Sequence, residues 1–319
     1  MSGGPPDGMS PAPVAPPIPS VRIGQVDVPR LILGDHGFLR KYGSSLTDAQ
    51  VRQNMRYAQD RADLGLTGGD LRCLRLATTV AGATGFVLYH TDVRFVSSGR
   101  RAHFGRCMST LHAHLGQVAP AFLRKDPLTG AFVASNAGYR PYRSTDRLTL
   151  DPAWWTAEQD RLTRYRPHAV SVGGDYLDAL LALDRFEVAL DALRAYAKIC
   201  RRWGSILVLT SYLLGVLDLR RVGPLLACCD AVMAPVNALG HGMVPDPERA
   251  LRKLRNLHLP VVGMHTLASG CLPPATALPH AFASAGLAAA VVGASTREHI
   301  DELIHGGRGA VDGARHPRS

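Results

Sequence analysis

Lysine is nearly missing from this 319-residue chain: it has four (Lys41, Lys125, Lys198, Lys253) against 32 arginines. Few amines leave few places for Schiff-base chemistry, and with abundant Ala, Gly and Pro the bias reads first as GC-rich codon usage. Aromatic residues make up only 6%, and no aromatic-rich basic segment of the kind that stacks nucleic-acid bases is present. The pairs Arg100-Arg101, Arg201-Arg202 and Arg220-Arg221 read as solvated helix faces, so no nucleic-acid partner is expected. No run of about 18 uncharged apolar residues occurs, which excludes an apolar membrane helix. The first 20 residues, rich in Pro, Gly, Ala and Ser, show no basic segment followed by an apolar one, so neither a secretory signal nor a membrane partner is expected. The six cysteines include no CxxC pair, and the adjacent Cys228-Cys229 suits a disulfide poorly. Reduced thiols and a cytoplasmic location are the expectation.

What is present is a globular composition, with 46% apolar and 19% charged residues and a mean hydropathy near zero, enough for a sizeable core. The net charge of +10 points to an anionic partner. Strand and helix signals alternate along the chain. Short apolar strands are expected at Leu31–His36, Leu66–Asp70, Phe86–His90, Ala169–Val172, Ile206–Thr210, Ala231–Ala234, Val261–His265 and Ala288–Val292. Helices are expected between them, the first capped by Thr47 and the last by Thr296. Strands apolar on both faces are typical of covered parallel sheets. Eight such units predict an α/β fold, a (β/α)8 TIM barrel. A doubly wound sheet is the alternative, disfavoured because no GxGxxG follows the first strand.

The expected organisation is a loose tail over residues 1–20, one barrel domain over 21–305 and a flexible tail over 306–319. The alternation fails after the third strand, where an Arg- and His-bearing helix is expected over 102–118. An irregular insertion over 119–166 follows, with one helix near its end. It carries Trp154-Trp155 and would pack on the barrel or act as a lid.

Function in a barrel collects where strands hand over to helices. Those ends supply Asp35 and His36, Asp70, His90 and Asp92, Asp175 and Tyr176, Thr210, Ser211 and Tyr212, Asn237 and His241, His265 and Thr266, and Ser295. Three of the eight strands end on histidine, the side chain that most readily exchanges protons near neutrality. His36, His90 and His265 are therefore the expected proton carriers, with Asp35, Asp92 and Asp175 orienting them or acting as partner base. His90-Thr91-Asp92 places two ligand types on one face of a strand. With His36 and His265 it forms an alternative divalent-metal site for zinc, iron or manganese, although no HExxH or HxH accompanies it. Tyr212, Ser211, Asn237 and His241 are expected to touch substrate. The segments Leu267–Gly270 and Gly293–Thr296 open the last helices, so Ser269, Gly270, Ser295 and Thr296, with Arg297 and His299 nearby, are expected to hold a phosphate or carboxylate.

From Val21 to Leu303 the chain resembles the aldolase-type barrels distantly similar to aldo-keto reductases, in a little-characterised bacterial branch. The resemblance rests on Leu33-Gly-Asp-His-Gly-Phe38 and on Met233-Ala-Pro-Val-Asn237 with Gly240, Met243 and Pro245. It also rests on Leu267-Ala-Ser-Gly270 with Pro273-Pro274 and on Val291-Val-Gly-Ala-Ser-Thr296. It implies the barrel fold. The reductase tetrad (an Asp after the second strand, a Tyr just beyond, a Lys ending the third and a His ending the fourth) is not matched. Here no Tyr closely follows Asp70, the third strand ends Tyr89-His90, and the fourth ends Val172-Gly-Gly-Asp175. NADPH is accordingly not an expected cofactor.

The expectation is an enzyme acting on a small, polar, anionic metabolite by His/Asp acid–base chemistry, of lyase or isomerase type, in a specialised biosynthetic pathway. The alternatives are a nicotinamide-dependent oxidoreductase with non-standard catalytic residues and a non-catalytic barrel subunit. Assembly into a homo-oligomer is left open.

Overall fold

The computed structural model describes residues 17–40, 43–97, 100–101, 148–182, 185–215, 217–244 and 246–313. In chain order the strands are β1 (Ser20–Ile23), β2 (Val26–Pro29), β3 (Leu31–Gly34), β4 (Gly65–Gly68), β5 (Val87–Thr91), β6 (Phe95–Ser97), β7 (Arg100–Arg101), β8 (Leu148–Leu150), β9 (Ala169–Gly173), β10 (Ile206–Thr210), β11 (Ala231–Pro235), β12 (Val261–Met264) and β13 (Ala289–Gly293). The described helices are α1 (Asp48–Ala62), α2 (Leu71–Ala81), α3 (Pro152–Tyr165), α4 (Asp175–Ala182), α5 (Phe186–Trp203), α6 (Leu219–Leu226), α7 (Pro247–Arg255), α8 (Pro274–Ala285) and α9 (Arg297–Gly313). Strands β3, β4, β5, β9, β10, β11, β12 and β13 pair in parallel in that order, and β13 closes on β3. The result is the predicted (β/α)8 barrel.

The sequence explains the elements locally. Strands β3, β4, β9, β10, β11 and β12 are buried at every position, because the barrel interior covers one face and helices cover the other. Helix α1 starts at a capping box in which Thr47 and Gln50 satisfy each other's backbone. Asp70, Asp151, Asp218 and Asp246 cap α2, α3, α6 and α7. At Gly173 the backbone takes φ +136°, and a side chain there would lie 1.9 Å from the Thr210 carbonyl. Only glycine lets β9 leave the barrel so close to β10.

Three regions differ from the expectation. The hairpin β1–β2, turning at Gly24-Gln25, occupies a stretch expected to carry no element. Its Ile23, Val26 and Val28 pack with Ile32, Phe86, Ile206, Val208 and Ala231 in one apolar cluster that also contains Met233 and Met264. The hairpin therefore plugs the N-terminal end of the barrel. Helix α9 continues to Gly313, so residues 306–313 are helix rather than flexible tail. Its glycines serve packing: a Cβ at Gly306 would sit 2.6 Å from the Pro274 backbone, and one at Gly307 2.6 Å from Leu31. The insertion is regular at its end, where β8 joins β6 and β7 in an antiparallel sheet and α3 follows. Trp154 and Trp155 pack edge-on against Tyr196 of α5. The helix expected over 102–118, and the rest of the insertion up to residue 147, lie outside the described residues.

Candidate active site

The C-terminal ends of the barrel strands surround a cavity of about 1080 Å³. Met233 and Met264, the top of the apolar cluster below, form its floor. Its rim carries Asp35, His36, Asp70, His90, Asp92, Tyr212, His265, Thr266, Ser269, Gly270, Ser295 and His299. The imidazoles of three strand ends thus line one mouth.

In that mouth the Tyr212 hydroxyl lies 2.6 Å from His265 Nε2, a contact between residues 53 apart in sequence. His36 and His241 flank His265, each with ring centroids 6.3 Å away. Tyr212 is fixed by Asp178 of α4, which accepts the Tyr212 amide at 2.8 Å and the Ser211 hydroxyl at 2.5 Å. On the other side, His265 (φ 53°) begins a loop in which Ala268 (φ 48°) and Ser269 (φ 60°) are also left-handed. Among the described residues only Asp63 and Arg166 otherwise combine a side chain with positive φ, and both are ordinary helix C-caps. Three such residues within five positions concentrate backbone strain where His265 is aimed. Beside it, the Thr266 hydroxyl is buried without a hydrogen-bond partner and lines the cavity.

A second polar chain crosses the barrel top. His90 Nδ1 lies 3.0 Å from Ser171 Oγ, which lies 2.6 Å from Thr210 Oγ1. Asp92 faces the same cavity but also binds backbone, accepting the amides of Val93 at 2.8 Å and Leu177 at 3.1 Å. Asp35 is buried, accepts the Gly69 amide, and donates its own amide to Thr67 Oγ1 at 2.8 Å. Burial raises the Asp35 pKa, while the Gly69 amide and the charge of His36 oppose that rise. Asp70 is committed to capping α2 through the Cys73 amide at 2.7 Å.

Several expected roles are corrected. Asn237 is buried and closes its own turn, exchanging hydrogen bonds of 2.8 Å with the His241 backbone; it is not a cavity residue. Ser211 points away from the mouth to Asp178. Thr296 caps α9 through the His299 amide at 3.3 Å, and the Arg297 guanidinium lies over the Tyr57 ring, 5.3 Å from its centroid. That end of α9 is occupied by contacts to α1, so Thr296 and Arg297 do not reach a ligand in the cavity. His241 stands behind His265, 3.4 Å from Ser269 Oγ. Asp175 opens α4, and its side chain lies outside the described residues. The expected metal site of His36, His90, Asp92 and His265 is not assembled: among the described residues no three His, Cys, Asp or Glu side chains are close enough to share a metal ion. The reason is topological, since His90 and Asp92 leave β5 whereas His265 leaves β12, four strands away around an eight-strand ring.

Two groups were not singled out from sequence. Asp178 comes from a helix that short apolar runs did not announce. Glu158 of α3 is completely buried and accepts hydrogen bonds from Tyr89 (3.1 Å) and Tyr196 (3.2 Å) while pairing with Arg161. Burial raises the Glu158 carboxyl pKa against the pull of these donors, and pushes the Tyr89 phenol up to about 12. The only signal for Glu158 was an acidic residue on the inward face of an otherwise amphipathic helix.

No protein-family model and no curated protein matches the sequence. Solved structures do match in fold. One, described as a candidate aldo-keto reductase from Pseudomonas aeruginosa, is similar over 96% of this chain and 99% of its own, with 16% identity and a TM-score of 0.56. A second with the same description covers 94% and 99%, with 14% identity and a TM-score of 0.53. Among the described residues no helix is long and apolar enough to cross a membrane. The chain therefore shares the barrel fold of these two proteins.

Proposed function

We propose that the protein is an enzyme that moves a proton at a carbonyl group of a small, polar, anionic metabolite, with Tyr212 and His265 as the reacting pair. The observation that carries this reading is the 2.6 Å contact between the Tyr212 hydroxyl and His265 Nε2 inside the cavity. In the forward direction Tyr212 donates its proton to the carbonyl oxygen and regains one from protonated His265. His36, across the same mouth, accepts the proton from the neighbouring carbon, whose electron pair becomes the new carbon–carbon double bond. Groups positioned for general acid–base transfer contribute about 10²- to 10⁴-fold each. An isomerase or a lyase both use this step. The direct test is proton exchange in deuterated water: with a panel of 2-oxo acids and sugar phosphates, wild-type protein washes out the α-proton of at least one compound, and Tyr212→Phe and His265→Ala do not. Exchange at the wild-type rate in Tyr212→Phe removes the reading.

A second reading, favoured by the shared fold, is carbonyl reduction with a nicotinamide cofactor, where the same pair would protonate the oxygen. Of the residues that would hold that cofactor's phosphate, two are turned elsewhere while Ser269, Gly270, Ser295 and His299 line the cavity. In barrels the phosphate site lies by the last two strands, and here Thr296 and Arg297 are already committed to α9 and Tyr57. Titration with NADPH separates the readings, because saturable binding favours reduction.

A further inference from the structure

Of the anion-binding residues expected near the opening of α9, Thr296 and Arg297 turn to other contacts while Ser269, Gly270, Ser295 and His299 line the cavity; the wall on the opposite side carries a cation in an unusual setting. Arg161 of α3 lines the cavity together with Arg94, Trp154 and Tyr89. One nitrogen of its guanidinium, Nη1, makes both of its protein contacts: it donates to the Tyr89 hydroxyl at 2.8 Å and pairs with Glu158 Oε2. Glu158 is 0% exposed and Arg161 27%, so the carboxylate lies wholly behind the guanidinium. Nε and Nη2 have no protein partner among the described residues, and neither is among the buried atoms lacking one. Arg161 itself lines the cavity.

We propose that Arg161 is the substrate-anion site of this protein: Glu158 and Tyr89 hold the guanidinium from behind, and its free Nε–Nη2 edge grips a carboxylate or phosphate group of the substrate. The proposal rests on the reading of this mouth as the active site. The chemistry fits the geometry. The two parallel N–H bonds of that edge match two oxygens of a carboxylate or phosphate, a match lysine cannot make. A buried carboxylate is costly unless paired and fully hydrogen-bonded. Glu158 meets that condition with Tyr89, Tyr196 and Arg161, which fixes the guanidinium before any ligand arrives. The placement also constrains the substrate. Tyr89 belongs to β5, and His265 follows β12, diametrically across the ring. The anionic group and the reacting carbonyl of the substrate must therefore be separated by the width of the mouth, which selects an extended molecule over a compact 2-oxo acid.

Calorimetric titration with inorganic phosphate and, separately, malonate tests the site. Wild-type protein is expected to bind at least one of the two, and the preferred probe identifies the group as phosphate or carboxylate. Arg161→Gln should weaken that binding about ten- to hundredfold, the range for one charged bidentate contact. Because Arg161→Gln leaves Glu158 unpaired, the double variant Glu158→Gln/Arg161→Gln, which has no buried charge, is measured beside it and should be folded by circular dichroism yet equally weak. Arg297→Ala should bind as wild type does. Wild-type affinity in the folded double variant, weakening by Arg297→Ala to the same degree, or no binding of either probe by wild-type protein overturns the proposal. The readout is binding, so the exchange result for Tyr212→Phe bears on the catalytic reading alone.

Discussion

At its N-terminal end the barrel is closed by the β1–β2 hairpin, whose Ile23, Val26 and Val28 join Ile32, Phe86 and Ile206 in one apolar cluster. At its C-terminal end the strand ends, the loops after them and α3 set histidines, carboxylates, two tyrosines and two arginines around an open cavity. Met233 and Met264 mark the boundary between the two. The contrast teaches that stability and chemistry are separated along the barrel axis. Polar groups that would be expensive in the interior are tolerated at the rim, where backbone amides bind Asp35 and Asp92 and a hydroxyl binds His90.

The separation can be broken by substitution at either end. The largest effect is expected at the top: Tyr212→Phe should lower turnover by about 10²- to 10⁴-fold. It should move the free energy of denaturant unfolding by no more than about 1 kcal/mol, the worth of one hydrogen bond. A comparable loss of stability would mean that the mouth also holds the fold together. At the bottom, Ile23→Ala should cost about 2–5 kcal/mol in urea unfolding through the cavity it leaves, with turnover per folded molecule unchanged. A large fall in turnover would show that the hairpin reaches the site through the methionine floor. Gly307→Ala, which brings a methyl group 2.6 Å from Leu31, should cost about 1–3 kcal/mol by overpacking and leave proton exchange intact.

The smallest effect sharpens the comparison by pH. His168, next to Phe86 just before β9, accepts the Val87 amide through Nδ1 at 3.2 Å, and burial lowers its pKa below the ordinary 6.5. The unfolded chain therefore takes up a proton at this residue before the folded one does. The stability it contributes is full above pH 6.5 and declines as pH falls from there toward the folded-state value. His168→Asn keeps an acceptor without the titration, so its unfolding free energy should depend less on pH across that window. An unchanged slope would show that His168 does not set the acid sensitivity of the fold.

The barrel was legible because each of its strands is a short apolar run covered on both faces, a pattern that survives without knowledge of partners. Helix caps were legible for the same local reason, as at Thr47. The hairpin was not: Val21 and Ile23, then Val26 and Val28, alternate over only four residues each, beside a Pro-rich stretch that masks them. In the site, strand ends marked His36, His90 and His265, since ionisable residues there have few structural uses. Direction was invisible. Ser211, Asn237 and Arg297 are of the right type in the right loops, yet they turn to Asp178, to the His241 backbone and to Tyr57. Arg161 and Glu158, on a helix after the irregular stretch, had no strand end to announce them.

Hydrophobic periodicity and the polar punctuation between runs determined by themselves that this chain makes a (β/α)8 barrel with a histidine-bearing rim, because burial on two faces leaves its mark on every strand separately. Which side chains meet across that rim was decided only by the closed ring. Barrel closure sets Tyr212 against His265 and places Arg161 on the wall opposite, and such pairings depend on distances in space that no spacing along the chain records.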